Sequence, residues 1–145
     1  MGRWAATRSN TALSTTNDFM TLVSASARRC YVYMVEVTGL GTASAANEVI
    51  VARSGSGATG GGAITPEPVG GEQAAVSGVV NTTWATQPTL NDILLRLGVN
   101  ANGGTNRWQT TDPRAMLEIR NGDYCSLRSG LGTSNISATV QWDEP

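Results

Sequence analysis

The sequence predicts an all-β domain, a β-sandwich or jelly roll of about eight strands, and three observations predict it. Short runs rich in β-branched and aromatic residues recur along the chain, and the clearest alternates strictly between apolar and polar positions. The segments between them are built from Gly, Asn and Pro, the residues that make turns. No stretch carries the sustained apolar repeat of a helix. At 145 residues the chain suits one domain with a core of its own.

The elements follow in order. Residues 1–18 are rich in Thr, Ser, Asn and Ala, with Trp4 their one aromatic residue. They read as an extended N-terminal arm or a first edge strand, ahead of a sandwich domain over residues 19–145. Phe19 to Ser26 is an expected strand. Cys30 to Val37 is the strongest strand by propensity, and being apolar on both faces it belongs at the centre of a sheet. Asn47 to Arg53, centred on Val49-Ile50-Val51, is another. Residues 54–71 are Gly-rich, carry Pro66 and Pro68 and keep no periodicity, so a long loop is expected there.

Gly78 to Trp84 reads as a short strand. Thr89 to Leu97 admits a short helix capped by Asn91 or Asp92, but Gly98 cuts that helix off early, and a strand over Ile93 to Val99 is preferred. Asn121-Gly122 separates Ala115–Arg120 from Tyr124–Arg128, which predicts a two-residue type I′ hairpin. The last strand, Asn135 to Trp142, sends Ile136, Ala138, Val140 and Trp142 to one face and Ser137, Thr139 and Gln141 to the other. Asp143 and Glu144 then read as a solvated acidic tail.

Composition narrows the chemistry. Charged residues make up 14% of the chain and the formal net charge is −1. A polar surface with few charges costs little to desolvate, which suits packing against other proteins, and it offers no field to attract nucleic acid. No apolar run is long enough to span a membrane as a helix, and the N-terminus lacks a signal peptide's apolar core, so synthesis in a cytoplasm is expected. Cys30 and Cys125 then read as small buried hydrophobes.

The chain has no His and no Lys; all ten basic residues are Arg. That removes His-activated nucleophiles, Schiff bases and P-loops. Two separated cysteines do not make a four-cysteine zinc site. Gly55-Ser56-Gly57-Ala58-Thr59-Gly60 matches the dinucleotide-binding pattern, but Gly61 to Pro66 cannot begin the helix that pattern needs. No catalytic residue, metal or cofactor is expected, and Glu36 and Glu118 are expected to pair with Arg or face solvent. A sugar-cleaving site would require carboxylates such as Glu67, Asp112 and Asp123 to converge in a cleft. The candidate partner contacts are aromatic and Arg residues, the types that dominate interface hot spots: Arg3, Trp4, Arg8, Trp84 and Trp108. For Trp84 and Trp108, the other reading is that they plug the ends of the sandwich.

Several segments together resemble a known group. These are Ala46-Asn47-Glu48-Val49-Ile50-Val51-Ala52-Arg53, Thr82-Thr83-Trp84-Ala85-Thr86-Gln87-Pro88-Thr89-Leu90, and Leu95-Arg96-Leu97-Gly98-Val99-Asn100-Ala101-Asn102-Gly103-Gly104. Arg107-Trp108, Arg120-Asn121-Gly122 and Gly132 to Ser137, followed by Val140 and Trp142, complete the set. From about Cys30 onward the chain resembles small virion proteins of tailed phages. The resemblance implies a head decoration, or cement, protein with a jelly-roll-like fold. It would form a homotrimer on the outer capsid surface and bridge neighbouring capsomers. Its partners would be the major capsid protein and further copies of itself, with no nucleic acid or membrane partner, and its location would be the virion. The alternative is a tail or fibre accessory protein with a carbohydrate- or protein-binding face, which needs an exposed flat indole at Trp84 or Trp108.

Overall fold

The computed structural model describes residues 2–25, 28–55, 57–70, 76 and 78–145. Met1 of the expected arm, Ser26 at the end of the expected first strand, and Ser56 and Gly71 of the expected loop lie outside the described residues. Twelve strands are described: β1 (Gly2–Ala12), β2 (Met20–Val23), β3 (Cys30–Leu40), β4 (Ala46–Ser54), β5 (Thr59–Ile64), β6 (Glu67–Pro68), β7 (Val79–Thr86), β8 (Leu90–Asn100), β9 (Asn102–Gln109), β10 (Leu117–Ile119), β11 (Tyr124–Leu131) and β12 (Asn135–Glu144). One 3-10 turn, Pro113–Ala115, precedes β10. No helix among the described residues is long and apolar enough to cross a membrane.

The strands form two antiparallel sheets facing each other. Sheet A runs β10-β3-β12-β1-β6, with β9 also on β3; sheet B runs β5-β7-β2-β11-β4-β8. The expected all-β sandwich is therefore present. Period-2 alternation builds its core. Trp4 and Ala6 of β1, Val35 and Val37 of β3, and Ile136, Ala138, Val140 and Trp142 of β12 point inward from sheet A. Leu22 of β2, Val49 and Val51 of β4, Val80 of β7, Leu97 and Val99 of β8, and Leu127 of β11 point inward from sheet B. Each fully buried Val, Leu, Ile or Phe side chain contributes roughly 1.5–3 kcal/mol of transfer free energy. The preference for a strand over Ile93 to Val99 agrees with β8.

Four expectations need correction. The N-terminal arm is not present as such and the alternative reading, a first strand, holds: β1 pairs with β12 from Gly2↔Glu144 to Ala12↔Asn135, because Trp4 and Ala6 fall in phase with the core face of β12. The Gly-rich segment is not one loop. β5 pairs with β7 and β6 pairs with β1, since backbone pairing needs no side-chain pattern. Together with β9, these strands account for the four beyond the expected eight.

The Asn121-Gly122 turn is not a hairpin. β10 pairs with β3 in sheet A, whereas β11 pairs with β2 and β4 in sheet B, so the chain changes sheets there. The turn closes through Asp123 N–H donating to Arg120 O at 2.9 Å. Gly122 has φ 78° while Asn121 is not among the positive-φ residues, the pattern of a type II turn rather than type I′. The acidic tail is also not solvated. Asp143 and Glu144 continue β12 and are buried, and Glu144 Oε1 accepts from Gly78 N–H at 2.7 Å and Trp142 Nε1–H at 3.0 Å.

One connection crosses a sheet. β7 and β8 are separated in sheet B by β2, β11 and β4, yet only Gln87 to Thr89 joins them. The inner face is filled by the core, so this strap crosses the outer side of sheet B. Its path is marked by Asp18 N–H donating to Gln87 Oε1 at 2.8 Å, Arg128 Nη2 donating to Pro88 O at 3.1 Å and Gly55 N–H donating to Thr89 O at 2.9 Å. At the corner where β8 turns into β9, a Cβ on Gly39 would overlap the backbone carbonyl of Asn100, so only glycine allows the two chains to approach there.

Candidate interaction face

The strap leaves the two sheets with different outer surfaces. On sheet A, β1, β12, β3 and β9 lie side by side, and the residues alternating with the core face form cross-strand rows. One row is Thr7, Thr139, Glu36 and Arg107; another is Ala5, Gln141, Met34 and Gln109; a third is Ser137, Thr38 and Thr105. Opposed hydroxyls bond to each other, Thr7 Oγ1 to Thr139 Oγ1 at 2.8 Å and Thr38 Oγ1 to Thr105 Oγ1 at 3.1 Å. Glu36 and Arg107 are the charges in these rows and pair with each other, Arg107 Nε donating to Glu36 Oε2 at 2.6 Å. The face is thus low, polar and internally neutral. Its hydroxyls and amides keep capacity for further bonds, and little charge has to be desolvated to cover it.

Sheet B carries a sealed polar cluster under the strap. Thr21, Ser54 and Ser126 occupy outward register positions but are buried. Asp18 is the hub. Its Oδ1 accepts from Arg128 Nε at 2.8 Å, and its Oδ2 accepts from Thr21 Oγ1 at 2.7 Å and, in a short bond, from Ser126 Oγ. Ser54 and Ser126 hydroxyls are 2.7 Å apart, and Trp84 Nε1–H donates to Thr21 Oγ1 at 2.8 Å. The Arg128 and Asp18 side chains are 12% and 0% exposed, so the pair is cut off from solvent. Each group has a partner and none is held ready for a reaction. The cluster reads as a fastener for the strap.

The residues chosen from the sequence are scattered. Trp4 is 7% exposed and joins the core of its own chain, which withdraws it as a partner contact: β1 is a strand, so the indole is covered without a partner. Arg3 is exposed, lies over the Tyr33 ring at 5.5 Å, and has Nε 3.2 Å from Asp143 Oδ1, an ion-pair distance without hydrogen-bond alignment. Burial and Asp143 push the Tyr33 hydroxyl upward, with Arg3 opposing. Arg8 sits over the Phe19 ring and donates to Phe19 O. Trp84 is half-buried and stacks on Tyr124 at 5.9 Å. Trp108 lies in β9 opposite Val35 and is half-buried against the core.

Among the acids, Glu118 pairs with Arg29 at 2.7 Å, and Glu36 with Arg107 as above. Glu67 lies in β6, Asp112 caps the 3-10 turn by accepting from Arg114 N–H at 2.9 Å, and Asp123 lies in the turn between sheets. No described cavity is lined by two of these three. Cys30 and Cys125 are free and buried, each thiol pushed up to about 12 chiefly by burial, with Glu144 adding to it at Cys30 and Asp18 at Cys125. That keeps both as thiols, the poorly nucleophilic form.

Sequence reasoning missed the rows on sheet A because their register depends on which strands become neighbours. The polar positions themselves, Ser137, Thr139 and Gln141, were visible in the alternation. No family model matches the chain, and neither a curated protein nor a solved structure gives a significant match.

Proposed function

We propose that this protein is a structural virion component that decorates a phage capsid and bridges neighbouring capsomers, docking through the outer face of sheet A. The observation that carries the reading is the four-strand outer face whose rows are mostly Thr, Ser and Gln, with Ala5 and Met34 among them, and whose ion pairs, Glu36–Arg107 and Arg3–Asp143, each cancel. From strand spacing and rise, four strands about 33 Å long give a face on the order of 600 Å², against the ~800 Å² that each partner contributes to a standard interface. A homotrimer presenting three such faces would repeat a modest contact around a closed shell, and neutral surfaces would let many copies stand side by side without repulsion. The similarity to small phage virion proteins in the turn and strand-edge segments supports the same reading. The alternative, a tail or fibre accessory protein binding carbohydrate, has less support, because Trp108 packs on the core and Trp84 is tied to Thr21 and Tyr124.

The test is to mix purified protein with undecorated heads and image them. Density at local three-fold positions is expected, and absent or random density overturns the proposal. Thr139→Arg and Gln141→Glu, both pointing away from the core, should abolish decoration while leaving the thermal transition in place.

A further inference from the structure

Arg8 stands at an unusual place. In β1 the inward positions are Trp4, Ala6 and then Arg8, and its partner across the ladder, Ala138, is buried. The strand pairing of β1 with β6 covers Trp4 and Ala5, beyond Ala5 no described strand pairs with that side of β1, and its register to β12 shifts between Arg8 and Thr11. The guanidinium therefore enters the gap between the sheets from the side. It lies 5.1 Å over the Phe19 ring and gives Nη1–H to Phe19 O.

A cleft of about 320 Å³ opens there, walled by Asn17, Phe19, Thr83, Trp84 and Gln87 beside Arg8. Among the described residues no carboxylate comes within 4.0 Å of Arg8. Asp18 borders the same cleft, but both its oxygens are engaged by Arg128, Thr21 and Ser126. Of the ion-paired arginines, Arg128 at this sheet face has its counter-charge built in; Arg8 does not. Burial lowers the guanidinium's hold on its proton, the direction expected for a cation short of water and of a counter-ion.

We propose that this cleft is a binding site for a carboxylate, with Arg8 as its anchor. The Nε and Nη2 edge of the guanidinium, free of protein acceptors among the described residues, is the edge that receives a carboxylate side-on in two parallel hydrogen bonds. Asn17, whose amide can donate, lines the cleft, and Trp84 and Phe19 line it with aromatic surface suited to a short aliphatic stem. An acidic side chain of a partner protein and a free small carboxylate share this chemistry. The inference stands apart from the docking face on sheet A.

The experiment is a titration of the isolated, isotope-labelled protein by NMR, following the Arg8 Nε–H and the side-chain amides of Asn17 and Gln87. The probes are sodium acetate, N-acetyl-glutamate amide and the methyl ester of the latter, at constant ionic strength. Saturable shifts with the two carboxylates and none with the ester are expected, with dissociation constants on the order of 1–10 mM, as for one exposed bidentate pair. Arg8→Gln should weaken binding at least about tenfold, and Arg8→Lys should restore only part of it, because an ammonium is not bidentate. Tighter binding of the glutamate amide than of acetate assigns the site to a partner's side chain; equal binding assigns it to small free carboxylates. Shifts that fail to saturate, that appear equally at Arg3 or Arg53, or that persist in Arg8→Gln overturn the proposal and leave Arg8 as an inward charge that protects a strand edge from pairing.

Discussion

The outer faces of the two sheets start from the same rule and end differently. On both, polar residues alternate with a buried apolar set. On sheet A the polar residues stay at the surface, bond sideways to each other and carry ion pairs open to solvent, Glu36–Arg107 among them. On sheet B a short strap closes over them and turns Asp18–Arg128 into a sealed pair. The difference teaches that similar side chains fasten the fold in one place and are left at the surface in the other. What decides is whether a connection happens to cross them.

This contrast can be broken by mutation, and the largest effect should come from sheet B. Asp18→Ala leaves the Arg128 guanidinium 12% exposed with no counter-charge, and urea denaturation should show a loss of about 3–5 kcal/mol. Asp18→Leu combined with Arg128→Met should recover much of it; a single Asp18→Ala loss below ~1 kcal/mol would mean that the strap does not seal the pair. Next comes alkaline pH. The two thiols titrate near 9 when unfolded and at about 12 in the fold, so above pH 9 the unfolded chain holds fewer protons than the folded one. Stability should therefore be intact below pH 9 and decline as pH rises towards 12. Melting curves of the Cys30→Ala/Cys125→Ala variant should show a shallower decline over that window.

A smaller effect sharpens the comparison ahead of the strap. Thr83 holds φ 53°, which is unfavourable for a β-branched residue, within β7 a few residues before the crossing. Thr83→Gly should gain about 0.5–1 kcal/mol in chemical denaturation, less whatever the Thr83 Oγ1 bond from Gly62 N–H supplies. The smallest effect belongs to sheet A. Glu36→Gln should change stability by less than about 0.5 kcal/mol, because the pair it breaks is solvent-screened. A calorimetric shift as large as that of Asp18→Ala would show that the sheet A face is also structural.

Much of the fold could be read from residue order. Ile136, Ala138, Val140 and Trp142 of β12 were assigned to the core from alternation alone, and all four are buried. Cys30 to Val37, apolar on both faces, lies inside β3 with neighbours on either side. The errors fall where local pattern is silent. Asn121-Gly122 marks a turn, but whether its flanking strands pair with each other depends on which edge of β3 is vacant. The glycines of β5 carry no side-chain signal, and Asp143-Glu144 look like any solvated acidic end until β1 and the Gly78 amide enclose them. The candidate site was legible only in part: Arg8 was named as a contact residue, but its cleft was not.

By itself the sequence determined the chemistry in stock and the faces of its strands. The absence of imidazole and primary-amine side chains fixed which chemistry was missing, and alternation in the clearest strand pointed to an all-β sandwich or jelly roll before any strand found a neighbour. Only the tertiary structure decided which polar face was sealed and that Arg8 entered the gap between the sheets without a paired carboxylate among the described residues. Those outcomes depend on strand order and on the path of the Gln87–Thr89 strap, which join residues up to 142 positions apart, a range that no local pattern spans.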